Sequence, residues 1–89
     1  MAFDTVHPVA PVHVLIVPKK HIPSVNELAV EDEAIIGHLF TVARRLADQL
    51  GVAHTGYRLV VNTGPDGGQS VFHIHMHLIG GRHLPFRFD

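Results

Sequence analysis

The tightest constraint on this chain is the alternation in "SVFHIHMHLIGG", residues 70–81, where His73, His75 and His77 occupy every second position and Ile74, Met76 and Leu78 fill the gaps. Side chains on a strand alternate between faces, so this period sends the apolar trio into a core and lines the three imidazoles along the other side. At the rise of a strand the imidazole row extends about 13 Å.

Other segments supply partners for that strand. "VHVLIV", residues 12–17, is rich in β-branched residues and bounded by Pro11 and Pro18, which predicts a buried strand with His13 as its one polar residue. "YRLVVN", 57–62, and "FHIHMHLI", 72–79, read as two more strands. Ser24 followed by Glu27 has the spacing of a capping box and predicts a short helical turn through Leu28. From Glu31 to Leu50 the apolar residues Ile35, Leu39, Val42, Leu46 and Leu50 recur at helical steps. Glu31, Asp32 and Glu33 suit the positive amino end of that helix, and Gly51 suits its stop. One helix packed on one sheet is the expected arrangement. The apolar stripe is nevertheless wide enough for part of it to meet another subunit.

Length and composition bound the function. A chain of 89 residues makes one small domain, 1–89, which buries roughly 60–65% of its unfolded surface and has little stability to spare. A net charge of -1 with no block of like charge recommends neither nucleic acid nor an anionic membrane as partner. Cysteine is absent, which excludes disulfides and thiolate metal sites and suits a reducing compartment. The longest apolar run, "VLIV" at 14–17, is too short to cross a bilayer. The expectation is a soluble, cytoplasmic protein.

Nine histidines in such a chain call for a use. His21, His38 and His54 read as surface or capping residues, and His7 and His83, near the termini, are given no role. For His73, His75 and His77, plain surface polarity is a poor account, because three neighbouring imidazoles repel once protonated. Two chemical readings remain: imidazoles that bind a metal such as zinc, or one nucleophilic imidazole whose neighbours move protons and bind a phosphate. The preceding stretch "TGPDGGQS", 63–70, is a glycine-rich turn whose backbone N–H groups can cradle a phosphate. Asp66 is the one acid between residues 49 and 88, so carboxylate support for a metal is scarce. The balance favours phosphate chemistry without a metal.

"HIHMHLI" resembles the histidine triad motif. "PVAPVHVLIVPKKHI" at 8–22 and "GYRLVVNTGPDGGQSVFHIHMHLIGGR" at 56–82 resemble the Hint branch of that superfamily more than its dinucleoside-polyphosphate hydrolase branch. The resemblance implies an α+β fold with an antiparallel sheet, one long helix and a short helical turn, joined as a two-fold homodimer. It also implies hydrolysis of purine nucleoside 5′-phosphoramidates to the nucleoside monophosphate and an amine, without metal or cofactor. By position, His75 would be the nucleophile and His77 would contact the phosphate and manage the leaving-group proton. His13 and His73 would orient and buffer that pair. Asn62, Gly68, Gln69 and Ser70 would line the phosphate and leaving-group side, and Phe3 and Val6 match apolar residues of the base pocket.

The chain departs from the family pattern in three places. The family carries a further amino-terminal helix and hairpin ahead of the segment that starts here at "MAFD", which implies weaker base binding and an open sheet edge. Its ribose-binding aspartate falls on Thr5, while Asp4 would point to the opposite face of a strand. In the tail, Pro85, Phe86 and Phe88 stand where the family often has a tryptophan and prolines; Phe86 and Phe88 are expected to cover the sheet rather than anchor a partner. The alternatives to a phosphoramidase are a dinucleoside polyphosphate hydrolase, a nucleotide-binding module with little turnover, and a histidine zinc site.

Overall fold

The computed structural model describes residues 1–85, so Phe86 and Phe88 lie outside the described residues. Four strands form one antiparallel sheet: β1 (Ala2–Asp4), β2 (Val12–Ile16), β3 (Tyr57–Val60) and β4 (Met76–Gly80), in the order β1-β2-β4-β3. One long helix, α1 (Glu33–Gln49), crosses one face, and two 3-10 turns, Val25–Glu27 and Val30–Asp32, lead into it. The fold is α+β.

Register assigns the two faces. Val14 sits opposite Leu78 and Ile16 opposite Met76, and these four join Leu39, Ala43 and Ala47 of α1 and Val52 in the core. The small alanines let the helix approach the sheet closely. One residue out of phase, His13 pairs with Ile79 and Leu15 with His77, while Val60 also faces His77. Those side chains occupy the face away from α1. The histidine strand therefore serves the core with Met76 and Leu78, and the site with His77.

The sequence expectations need adjustment at the histidine strand and at the start of the long helix. The strand expected over 72–79 begins only at Met76, because its partner β2 ends at Ile16 and the chain then meets Pro18, which has no N–H for a ladder. Residues before Met76 are held differently: Ile74 N–H donates to Ile22 O at 2.7 Å, and the in-and-out burial continues, with Ile74 buried between half-buried His73 and His75. The long helix starts at Glu33, after the 3-10 turn that takes up Glu31 and Asp32. Strand β1 was not legible, since three exposed residues carry no period.

The Ser24 turn forms as a single 3-10 turn, with Asn26 N–H donating to Ser24 Oγ (3.2 Å) and that hydroxyl donating to the Glu27 carboxylate. At the other end of α1, Gly51 adopts φ +77° and ends the helix. Among the described residues, no helix is long and apolar enough to cross a membrane.

Candidate active site

His13, the second residue of β2, is only 8% exposed, so its polar atoms need partners. Val9 N–H donates to His13 Nδ1 at 3.1 Å. A backbone N–H can only donate, which makes Nδ1 an acceptor and assigns the proton of the neutral ring to Nε2. His13 Nε2 then donates to His77 Nδ1 at 2.9 Å, and the proton of a neutral His77 rests on its Nε2. Burial lowers the pKa of His13 below the ordinary 6.5. Burial also lowers that of His77, helped by repulsion from His75 and His13. Both rings are thus kept neutral near pH 7.

His75 is fixed by the backbone of its own segment. Its Nδ1 donates to His73 O at 2.8 Å, so the lone pair of the neutral ring is on Nε2. Its ring lies 5.1 Å from that of His77, centroid to centroid. His73 in turn donates from Nε2 to Pro18 O (3.0 Å) and meets His21 edge to face at 5.0 Å. His21, set aside on sequence as a surface residue, is exposed and still supports the row.

His73 and His75 line a groove of about 540 Å³ together with Phe3, Leu15, Val17, Pro18 and Val71. Phe3 reaches it because β1 sets it opposite Leu15. Val6 does not line this groove and is 85% exposed. A separate concavity beside α1, lined by Ile16, Ile35, His38, Leu39 and Val42, includes none of His13, His73, His75 and His77.

The glycine-rich turn is built around Gln69, which is buried at 6% exposure. Its Oε1 accepts from Gly64 N–H (2.9 Å), and its Nε2 donates to Pro23 O (2.7 Å) and Val71 O (3.1 Å). Both amide protons are therefore spent on the protein, and Gln69, which the resemblance sets on the phosphate and leaving-group side, shapes the turn. Asn62 Nδ2 donates to Gly67 O at 2.8 Å. Gly68 adopts φ +82°, and Ser70 is exposed at the turn's exit. Sequence reasoning missed Gly67, where a Cβ would stand 2.2 Å from Thr63 O; any loop glycine looks alike until the fold brings two backbones together.

The face of the α+β sheet away from α1 thus carries one imidazole with its lone pair on Nε2, His75, beside a second, His77, whose Nε2 carries the proton, an arrangement able to supply a nucleophile and a proton donor. Among the described residues, no three or more histidines and acids are grouped to hold a metal ion. Residues 1–84 match the HIT domain family, and the chain belongs to that family. It is 52% identical over 83 residues to a purine nucleoside phosphoramidase of Escherichia coli (strain K12), spanning 93% of this chain and 70% of that protein. An uncharacterized HIT-like protein of Synechococcus elongatus is 49% identical over 94% of this chain and 73% of its own. The crystal structure of a HIT family hydrolase from Legionella pneumophila superposes with TM-score 0.94 at 44% identity, covering 96% of this chain and 76% of the other.

Proposed function

We propose that this chain hydrolyses purine nucleoside 5′-phosphoramidates through a nucleotidyl-His75 intermediate. The observation that carries the reading is the hydrogen bond from His75 Nδ1 to His73 O (2.8 Å), which leaves Nε2 as a nucleophile in the groove. That nitrogen attacks the α-phosphorus, and the phosphorus–nitrogen bond of the substrate breaks. His77 Nε2–H donates to the departing nitrogen, and the water that then cleaves the phosphorus–Nε2 bond replaces that proton. Over the cycle one water supplies the hydroxyl on phosphorus and the proton on the amine. Phe3, Leu15 and Val71 give the groove an apolar wall suited to a purine.

The phosphoramidase among the similar proteins supports this substrate class. A homodimer belongs to the same proposal: β3 is an edge of the sheet, and edge pairing with a second copy would cover it. A cytoplasmic setting suits a chain without cysteine.

The test is AMP release from an adenosine 5′-phosphoramidate by the wild type and His75→Ala, with intact mass used to find nucleotidylated protein. Release that disappears in the variant supports the proposal. No release from folded protein that still binds AMP sinks it and leaves a nucleotide-binding module. Faster turnover of a dinucleoside triphosphate would move the assignment to the other hydrolase branch.

A further inference from the structure

The loop between β1 and β2 closes where Thr5 N–H meets His13 O at 3.3 Å. Inside it, Val9 is held at both of its backbone polar atoms. Its N–H donates to His13 Nδ1 (3.1 Å), and its carbonyl accepts from Arg82 Nη2 (2.9 Å). The Val9 side chain offers little anchorage, since the residue is 57% exposed. These two hydrogen bonds therefore do most to set where its N–H points.

Arg82 reaches Val9 because of the glycines before it. At Gly80 a Cβ would come within 3.2 Å of Val52 and 3.3 Å of Tyr57, and at Gly81 (φ +90°) one would lie 3.1 Å from Pro11. Strand β4 thus ends tight against the β1–β2 loop, and Arg82 turns back over it. Its Nη1 also donates to His83 O at 3.0 Å, so one guanidinium ties the exit of β4 to the loop.

We propose that Arg82 is a positioning residue for the His13–His77 pair, acting through Val9. It holds the Val9 N–H against His13 Nδ1, which keeps the proton on His13 Nε2, makes His77 Nδ1 an acceptor, and leaves His77 Nε2–H as the donor for substrate. Without that grip the loop is free to move and His13 Nδ1 loses its donor. Both neutral tautomers of His13 then become accessible. When the proton sits on Nδ1, His13 presents a bare Nε2, His77 turns its own proton inward to meet it, and the outward donor is lost. The catalytic consequence rests on the phosphoramidase reading above; the tautomer consequence does not.

The experiment is a long-range proton–nitrogen correlation spectrum of the imidazoles at neutral pH, with phosphoramidate kinetics in parallel, on the wild type, Arg82→Ala, Arg82→Lys, Val9→Pro and Arg58→Ala. Arg58 donates to Leu84 O (3.2 Å) and Pro85 O (3.0 Å), so its variant controls for losing a guanidinium at the same end of the molecule. The wild type and Arg58→Ala should show one protonated nitrogen on His13, Nε2. Arg82→Ala should average the two nitrogens, and Arg82→Lys should largely restore the wild-type pattern. Val9→Pro, which removes the N–H itself, should reproduce the averaging and decides the matter if Arg82→Ala does not fold. In the kinetics, Arg82→Ala should lose about tenfold in kcat with KM within about twofold, as expected when a reacting group is misplaced from a distance. An unchanged His13 signature in folded Arg82→Ala or Val9→Pro overturns the proposal whatever the activity does. Absence of turnover in every protein, wild type included, removes the phosphoramidase reading alone, and the spectra still decide the role of Arg82.

Discussion

Gln69 shows how one buried side chain can organise a whole turn. Its amide ties three backbone groups from the turn, the 3-10 entry and the start of the histidine segment. Gln69→Leu would keep the volume and orphan those groups, at a cost of about 2–3 kcal/mol. Urea unfolding measures it, and a loss near zero would mean that water replaces the amide without penalty. Gly67 is constrained by space instead, with Thr63 O 2.2 Å from any Cβ. Gly67→Ala should destabilise by about 1–3 kcal/mol, in the range for overpacking, and, if the proposed phosphoramidase reading holds, should lower that activity by shifting the turn. A variant as stable and active as wild type would show that the turn relaxes freely. His13 is governed by its immediate contacts too: a histidine inside an apolar strand is a neutral, hydrogen-bonded group whose neighbours decide which nitrogen carries the proton.

Between elements, the link that matters is from the segment after β2 to the start of α1. Asp32 is 3% exposed, and its carboxylate accepts from Lys20 Nζ (2.5 Å) and from Ala29 N–H (2.9 Å). The Lys20 hydrogen bond, followed by that from Ala29, lowers the Asp32 pKa below 3.8, and the same contact raises that of Lys20. A carboxyl with a lowered folded-state pKa adds stability above its unfolded pKa and loses it as pH falls through the folded value. Asp32→Asn, which keeps an acceptor for Ala29, should therefore have a lower urea midpoint than wild type at pH 7. The two midpoints should converge as pH is taken below 3.8. A gap that persists in acid would assign the effect to packing. Sequence placed Asp32 at the helix start by its charge, but its partner, twelve residues earlier, became visible only once Pro18 had turned the chain out of the sheet.

For the molecule as a whole, the histidine pair couples the site to stability. His13 and His77 have folded-state pKa values lowered from 6.5, so the unfolded chain takes up protons first as pH falls. Stability should hold above 6.5 and decline below it, toward the lowered values of the pair. Comparing urea unfolding of wild type and His13→Gln at pH 7 and pH 5 tests this, and an equal acid loss in both would remove His13 from the account. The margin is small in a chain of this size. Leu78, fully buried between α1 and the sheet, should lose about 2–5 kcal/mol as Leu78→Ala, much of what such a domain has, read as a large drop in thermal midpoint. An unchanged midpoint would contradict the core assignment.

Two periods in the sequence determined the fold class and most of the site: period 2 in residues 72–79 placed Met76 and Leu78 in the core and His77 opposite, and the helical steps from Ile35 to Leu46 placed the covering layer. They are legible because each repeats a local geometry many times over. What the tertiary structure decided has no such repetition. The shortening of the histidine strand follows from Pro18 on its neighbour, and the engagement of Gln69 follows from carbonyls in two other segments. The tautomers of His13 and His77 follow from a single N–H at Val9 that the chain brings back across the sheet. Those outcomes depend on one atom meeting another far away in sequence, and no local pattern encodes such a meeting.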